Sequence, residues 1–111
     1  MDNINYAIEK ANRKFIISKS IGKVVRHFKG DHYLIKDIAE HTENGDKLVI
    51  YIALYGDCKV YARPLDMFIE KVPEGKPNPT NQEYRFEVVD IPSIKDVCEL
   101  IVTDINTTKG E

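Results

Sequence analysis

Residues 26 to 33, RHFKGDHY, concentrate cationic and imidazole side chains around a single glycine. Arginine offers a planar fork of donors and lysine a point charge, so both residue types bind phosphate or carboxylate oxygens. Gly30 carries no side chain and lets the backbone approach a ligand closely. The stretch is therefore compatible with an anion-binding site, with a metal site, or with a charged turn that only joins two strands.

A metal site would draw on His27 and His32, with Asp31 and His41 close by in sequence. This donor set suits zinc in principle. In a strand, however, Arg26 and His27 point to opposite faces, and the neighbouring cations would repel a metal ion. We therefore expect no metal and no cofactor.

Groups suited to catalysis are sparse. Cys58 lies at a predicted turn beside Lys59, but no histidine that could activate the thiol neighbours it in sequence. The chain has no serine in a nucleophile elbow and no HExxH or CxxC motif. Cys58 and Cys98 provide no disulfide framework. We therefore expect a protein that is not an enzyme.

An anion site is better supported, because arginine and tyrosine recur along the predicted strands. Arg63 precedes Pro64, which favours an extended backbone at the arginine. Tyrosine faces can stack a nucleobase while arginines pair with phosphates. Of Arg26 and His27, only one can face a pocket shared with Arg63. The candidate ligand-binding residues are Arg26, His27, Lys29, Tyr51, Tyr55 and Arg63.

The register of the hairpin at GDCK decides whether these groups meet. A two-residue turn would pair Tyr55 with Cys58 and put the tyrosines opposite Val60 and Ala62. A three-residue loop would pair Tyr55 with Lys59 and bring Tyr61 and Arg63 onto the tyrosine face. A slip of one residue moves every side chain to the other face, so only the second register makes a platform of tyrosine and arginine. The sequence leaves both registers open.

The elements that position these residues begin with a helix at residues 1–19. Residues 3–16 place Ile4, Ile8, Ala11 and Phe15 at helical intervals. This narrow apolar stripe must be buried against the body of the protein or against a second copy. We therefore expect a homo-oligomer through this helix as one possible assembly.

Residues 20–91 are predicted to form antiparallel strands. Asn44 and Gly45 indicate a hairpin between HYLIKDIAEHTE and KLVIYIALY, as both central positions of a type I′ turn need positive φ. Gly30 and Asp31 are predicted to form a turn as well. The segments VYAR, MFIEKV and YRFEVVD follow as further strands, with Pro64 at a strand end or edge. Residues 73–83 are rich in proline and polar residues, which predicts a mobile loop.

Residues 92–111 are predicted to form a C-terminal helix with a frayed tail. Ser93 is the expected N-cap. The apolar positions Ile94, Val97, Cys98, Ile101 and Ile105 recur at helical spacing and form its buried stripe. The resulting fold class is mainly β (α+β): a small, strongly bent antiparallel sheet or barrel with an N-terminal and a C-terminal helix.

Composition narrows the functional classes. The chain has 111 residues, 42% of them hydrophobic, and a formal net charge of −2. It contains no apolar run that could span a membrane and no signal-like leader, so we expect a cytoplasmic protein without membrane contact. Residues 1–36 carry a net charge of +5 and residues 37–111 one of −7. The acidic body disfavours duplex nucleic acid and leaves a compact anion, most simply a nucleotide, as the expected ligand.

The runs VVRHFKGDHY, AEHTENGDKLVIYIALYG and ARPLDMFIEKV together resemble a family of small bacterial and phage domains classed as a conserved domain of unknown function. The matching positions are Arg26 to Gly30, Tyr33, His41 to Glu43, Gly45, Tyr51, Ala53 to Gly56, Arg63 to Leu65, Met67 and Phe68. Val25, Glu40 and the pair YA at 61–62 stand where the family usually has tyrosine, arginine and Trp-Val. The resemblance covers residues 23–72.

The resemblance implies an SH3-like small barrel and no activity. Two functions remain open. The first is a non-catalytic module that binds a small anionic ligand, a nucleotide or a nucleotide-derived signal, and one version is a phage-type protein that sequesters such a signal. The alternative is a protein- or peptide-interaction domain that docks proline-rich or extended peptides. Its groove would be lined by Tyr33, Tyr51, Tyr55, Tyr61 and Pro64.

Overall fold

The computed structural model describes residues 2–90, which form one antiparallel sheet and two helices. Strand order in the sheet is β4-β3-β2-β1-β5. The elements in chain order are α1 (Asp2–Ser18), β1 (Val24–His27), β2 (His32–Glu40), β3 (Lys47–Ala53), β4 (Val60–Pro64), α2 (Leu65–Phe68) and β5 (Phe86–Val88). A mainly β, α+β fold is therefore confirmed, and the predicted C-terminal helix at 92–111 lies outside the described residues.

The centre of the sheet is β3, which pairs with β2 on one side and with β4 on the other. Val49, Tyr51 and Ala53 alternate along its buried face, as the period of two in a strand requires. A register shift between Ile35 and Asp37 marks a bulge in β2. Such bulges increase the local twist, which bends the sheet over its core.

The core lies on the concave face of this bent sheet. Phe68 and Phe86 stack with ring centroids 4.1 Å apart and an interplanar angle of 3°, and both are almost fully buried. The other large side chains with less than 2% exposure are Phe28, Ile17, Ile35, Val25 and Val49.

Among the described residues the sheet is open. Its outer strands, β4 and β5, form no ladder with each other. The guanidinium carbon of Arg63 on β4 nevertheless lies 5.8 Å from the ring centroid of Phe86 on β5. The bend therefore brings side chains of the two edge strands together across the concave face without closing a barrel.

Both predicted turns form, but one of them has a different geometry. The hairpin predicted at Asn44 and Gly45 forms, but Glu40 pairs with Lys47, so its loop spans six residues. Only Gly45 has positive φ, which is incompatible with a type I′ turn. The Asn44 side chain instead accepts a hydrogen bond from the amide of Asp46. The turn predicted at Gly30 and Asp31 is confirmed, with Gly30 at φ 113°.

The segment MFIEKV was predicted to be a strand, and this prediction is wrong. Leu65–Phe68 form the short helix α2 directly after Pro64. Leu65, Phe68 and Ile69 are the buried residues, at helical spacings of three and four, and they close one end of the core. Only Lys71, which bridges to Tyr84, retains a strand-like contact.

Helix α1 forms as predicted but presents its other side to the body. Arg13 and Ile17 are buried, whereas Ile4, Ile8 and Phe15 are 65%, 55% and 64% exposed. Within residues 2–90, burial of the predicted apolar stripe against the body is therefore wrong. The described part of the chain contains no helix long and apolar enough to cross a bilayer.

The loop at residues 73–83 is joined to the sheet by specific hydrogen bonds. The Thr80 hydroxyl donates to the carbonyl of Phe28, and the Gln82 amide nitrogen donates to the carbonyls of Arg26 and Tyr84. Gln82 is only 5% exposed. These bonds fix the end of the loop that leads into β5.

Candidate functional site

Aromatic rings form the floor of the concave face. The Tyr33 ring centroid lies 5.3 Å from that of Tyr51 and 5.8 Å from that of Phe86, with edge-to-face angles of 72° and 75°. Tyr61 lies 5.6 Å from Tyr51. Edge-to-face packing of this kind adds stabilisation beyond burial alone and holds the ring planes in fixed directions. We call the concave surface formed by these tyrosines, Phe86 and their polar neighbours the aromatic face.

Arg63 lies on the aromatic face because of the register of the β3–β4 hairpin. Tyr51 pairs with Tyr61 and Val49 with Arg63, so all four side chains point the same way. The observed register is neither of the two predicted at GDCK. Like the three-residue-loop alternative, however, it puts Tyr61 and Arg63 on the same face as Tyr51. Gly56 and Cys58 both adopt positive φ within the longer loop, which accounts for the difference.

The Arg63 side chain is oriented by Tyr51. Its Nε donates to the Tyr51 hydroxyl at 3.3 Å, and its guanidinium lies near the face of Phe86. Arg63 is partly buried. With Nε bound to Tyr51, the two terminal nitrogens of the guanidinium remain as a pair of donors, and such a pair can bind a carboxylate or phosphate with two bonds.

His27 is the member of the RHFKG stretch that reaches the aromatic face. Its ring centroid lies 4.9 Å from that of Phe86. Burial, followed by the positive charges of Lys29, Arg85 and Arg63, lowers the pKa of His27 to about 4. The backbone amide of Lys29 donates to Nδ1 at 3.1 Å. At neutral pH the ring is therefore neutral, with Nε2 as the nitrogen that can donate.

Arg85 was missed by the sequence interpretation, and its charge acts on His27. Its positive charge is the second-largest electrostatic cause of the lowered His27 pKa, after Lys29. Its Nε atom is buried and makes no hydrogen bond within residues 2–90. Arg85 directly precedes Phe86, which pairs with His27, and its carbonyl accepts a hydrogen bond from the amide of Phe28. In the sequence, the one signal for Arg85 is its position directly before an aromatic strand residue in YRFE.

Tyr55 lies at the rim of the aromatic face. Its hydroxyl and that of Tyr33 are 2.7 Å apart. Burial, with this hydrogen bond as the next cause, raises the pKa of the Tyr33 hydroxyl above its ordinary value. Tyr55 and Tyr61 are 43% and 39% exposed. Both tyrosines therefore keep part of their ring surface accessible.

Two of the predicted binding residues lie apart from the others. Arg26 points to the opposite face of β1, where its Nε donates to the Gln82 side chain at 2.7 Å. Lys29 lies exposed in the turn after β1. The structure thus brings together His27, Tyr51, Tyr55 and Arg63, with Lys29 as a nearby charge and Arg26 excluded by strand alternation.

The positive charge of the aromatic face is not matched by ion pairs in the described part of the chain. The salt bridges between residues 2 and 90 involve the lysines Lys10, Lys14, Lys47 and Lys71 with Glu9, Glu40, Asp66 and Glu83. None of them includes Arg63 or Arg85. Of the nearby acids, only Asp31 opposes the depression of the His27 pKa, and it is the smallest of the five contributions.

A second concave region lies between α1 and the body. This groove has a volume of about 430 Å³ and is lined by both signs of charge, including Glu9, Lys10, Arg13 and Lys71. Lys71 pairs with Glu9, and Tyr84 donates a hydrogen bond to Glu9. Its charged groups are thus largely paired with one another, so we place the candidate site on the aromatic face. Residues 2–90 contain no cluster of three metal-ligating side chains.

The bent antiparallel sheet and its aromatic, arginine-bearing face define a small α+β domain. A family model described as "Protein of unknown function (DUF1653)" matches residues 23–88, so the chain belongs to this family. The expected membership of a conserved family of unknown function is confirmed. Helix α1 lies outside the matched region. No curated protein matches the chain.

A solved structure supports the same assignment. The crystal structure of a protein belonging to DUF1653 from Bordetella bronchiseptica is 32% identical in sequence, with a TM-score of 0.52. The match covers 65% of this chain and 92% of that one. Both comparisons therefore agree on the family, and the family's description assigns no function.

Proposed function

We propose that the chain is a non-catalytic module that binds a small anionic ligand, most simply a nucleotide or nucleotide-derived signal, on the aromatic face. One observation carries this proposal. Arg63 and His27 lie beside Phe86 among partly exposed tyrosines, the positive charge of Arg85 acts on His27, and neither arginine has an ion-pair partner among residues 2–90. Concentrated positive charge without a partner is stabilised by an anion.

The arrangement fits the two halves of a nucleotide. The terminal nitrogens of Arg63 and the guanidinium of Arg85 supply forked donors for a phosphate. Tyr61 and Tyr55 supply exposed rings on which a base can stack, a contact worth about 1–3 kcal/mol per base. His27 adds a neutral donor through Nε2.

A binding role fits this chemistry better than an enzymatic one. A general base works best with a pKa near the operating pH. His27, with its pKa lowered to about 4, is a weak base at neutral pH. The other polar groups of the face are arginines and tyrosines, which orient and neutralise an anion. The SH3-like barrel likewise remains a proposal, supported by the bend that brings Arg63 on β4 near Phe86 on β5.

A thermal-shift measurement against mononucleotides, cyclic mononucleotides and cyclic dinucleotides tests the proposal. A ligand at one hundred times its Kd stabilises the folded state by about 2.7 kcal/mol. For a domain of this size that corresponds to a rise in Tm on the order of 10 °C or more. Arg85→Ala should abolish the shift, whereas Lys36→Ala, which removes an exposed charge in the β2 bulge, should not. No shift with any of these ligands would contradict the proposal.

The alternative, a peptide-interaction domain, is supported by the exposed apolar rim beside the open edge of β4. Leu54 and Val60 are 47% and 54% exposed and adjoin Tyr55 and Tyr61. An extended peptide could add to this edge or lie on the tyrosines. Proline-rich peptides should then bind with an affinity that Tyr61→Ala reduces and Arg85→Ala leaves unchanged. The two variants therefore separate the two functions.

A further inference from the structure

We propose that α1 acts as a clamp between the two edge strands of the open sheet, and that Arg13 is the residue through which it positions the aromatic face. The edge strands β4 and β5 form no ladder with each other among the described residues. The aromatic face nevertheless takes Arg63 from β4 and Phe86 from β5. Its width therefore depends on contacts other than a ladder that join these two edges.

Arg13 binds the β5 side of the aromatic face. Its guanidinium donates to the carbonyl of Phe86 at 2.7 Å and lies 4.1 Å from the ring centroid of Tyr84. Arg13 is only 9% exposed, and its bond to Phe86 is buried. A bond from a charged donor is among the stronger hydrogen bonds in proteins. These contacts therefore hold in place the residues on both sides of Arg85.

The next residue of α1 binds the β4 side. The Nζ atom of Lys14 lies 2.8 Å from Oδ1 of Asp66. Asp66 lies in α2, which begins directly after β4 ends at Pro64. Both side chains of this ion pair are partly exposed, so it contributes less than the buried contact of Arg13. Arg13 and Lys14 thus join β5 to the end of β4.

Ile17 supports both contacts from the core. It is fully buried and belongs to the same apolar cluster as Leu65, Phe68 and Phe86. Leu65 and Phe68 lie in α2, and Phe86 lies in β5. About one turn of α1, residues 13–17, therefore reaches both edges of the sheet.

Phe86 links the backbone held by α1 to the charged groups of the aromatic face. Its ring centroid lies 4.9 Å from that of His27 and 5.6 Å from that of Tyr51. The guanidinium carbon of Arg63 lies 5.8 Å from the same ring. Protein interiors are close-packed and transmit strain. A displacement of the Phe86 backbone therefore changes the position of β5 relative to Arg63.

The clamp couples α1 to anion binding. An anion held by groups from both edge strands requires a fixed separation between them, so detachment of α1 weakens binding, and binding in turn favours attached α1. This coupling rests on the proposed function, whereas the positioning of Phe86 by Arg13 does not. The family match covers residues 23–88 and leaves α1 outside. The clamp thus adjusts a face that the matched region carries.

Nuclear magnetic resonance of the ligand-free protein tests the positioning role of Arg13. The ring current of Phe86 acts on the Arg63 side chain, so the Nε–H resonance of Arg63 reports the relative position of β4 and β5. Arg13→Met, which keeps a long apolar stem and removes the donors, should shift this resonance and the aromatic resonances of Tyr51. Arg13→Lys, which retains a charged donor, should restore them in part. The matched control Asn12→Ala, at an exposed neighbour on α1, should leave them in place.

A binding measurement tests the coupling. Inorganic pyrophosphate is the probe, because it presents only the phosphate groups that arginines bind in pairs. Arg13→Met should raise its Kd by about fivefold or more, although Arg13 itself contacts no ligand on the aromatic face. In the unmodified protein, pyrophosphate should slow hydrogen exchange of the α1 amides. Asn12→Ala should leave the Kd unchanged.

Each contrary result is decisive. If the resonances of Arg63 and Tyr51 stay in place in a folded Arg13→Met protein, or shift equally in Asn12→Ala, the positioning role is overturned. If both Arg13→Met and Arg13→Ala unfold the protein, Arg13 supports the whole fold and not the face in particular, which also overturns it. An unchanged Kd for pyrophosphate in Arg13→Met would refute the coupling. Absence of pyrophosphate binding to the unmodified protein would count against the proposed function alone, since the resonances are measured without a ligand.

Discussion

The Nε atom of Arg63 donates a hydrogen bond to the Tyr51 hydroxyl across the β3–β4 ladder. Tyr51 is only 5% exposed and is fixed by ring contacts with Tyr33, Phe68 and Phe86. The arginine is therefore anchored to a rigid aromatic core. Within residues 2–90 its terminal nitrogens make no hydrogen bond, which leaves them available to an anion.

Arg63→Ala should weaken binding of an anionic ligand by about 10- to 100-fold, since a hydrogen bond to a charged group is worth about 1.5–3 kcal/mol. Titration calorimetry with the best nucleotide from the thermal-shift panel measures this. Arg26→Ala is the control, because it removes the same charge from the opposite face of the sheet. Equal losses from both variants would argue for a diffuse charge effect and against a site at Arg63.

The ionisation of His27 makes stability depend on pH. Its pKa is about 4 in the folded protein against 6.5 for the free side chain, so the unfolded chain binds an additional proton between these values. The free energy of unfolding should therefore fall as the pH drops from 6.5 to 4. In urea denaturation, the unfolding free energy of His27→Gln should depend less steeply on pH over this window than that of the wild type. Some dependence should remain, because groups such as Glu9 titrate in both proteins. Identical slopes for the two proteins would rule out the lowered pKa.

Arg13→Ala should detach α1 from the body. The substitution removes the donor to the Phe86 carbonyl and the cation over Tyr84, at a cost of about 1–3 kcal/mol. Urea denaturation measures the loss, and Asn12→Ala, an exposed neighbour on the same helix, is the control. A change below about 0.5 kcal/mol would mean that α1 is held by other contacts.

Gln82→Ala should destabilise the junction of the loop at 73–83 with β5. Gln82 accepts from Arg26 and donates to two backbone carbonyls, and its loss leaves buried groups without partners. We expect a decrease of about 1–3 kcal/mol in unfolding free energy. Lys76→Ala in the same loop is exposed and should be neutral. Hydrogen exchange of the Phe86 to Val88 amides should become faster only in the Gln82 variant.

Much of the sheet could be predicted from local patterns. Alternation and turn residues gave the approximate positions of β1 to β4 and the turn at Gly30. The helix α2 was missed because LDMFIEKV was interpreted with a period of two, although Leu65, Phe68 and Ile69 also fit helical spacing. The β3–β4 register was not predictable, because it depends on the positive φ of Cys58, a conformation that non-glycine residues rarely adopt.

The site was predictable only in part, for a related reason. Strand alternation separates Arg26 from His27, but the choice between them depends on which face of β1 packs on the core. The effect of Arg85 on His27 depends on the pairing of β1 with β5, the strand that follows Arg85 and lies about sixty positions away from β1 in sequence. Likewise, the apolar stripe of α1 was evident, but Arg13 and its bond to Phe86 decide which side of the helix meets the body.

A titration followed by nuclear magnetic resonance tests the proposed site most directly. With a nucleotide selected by thermal shift, the Nε–H resonances of Arg63 and Arg85 and the aromatic resonances of Tyr51 and Tyr61 should move with a single Kd. The Nε–H resonance of Arg26 should stay in place, because it is bound to Gln82 on the opposite face. Shifts confined to the Arg26 face or to the groove between α1 and the body, with none at Arg63, would contradict the proposed site.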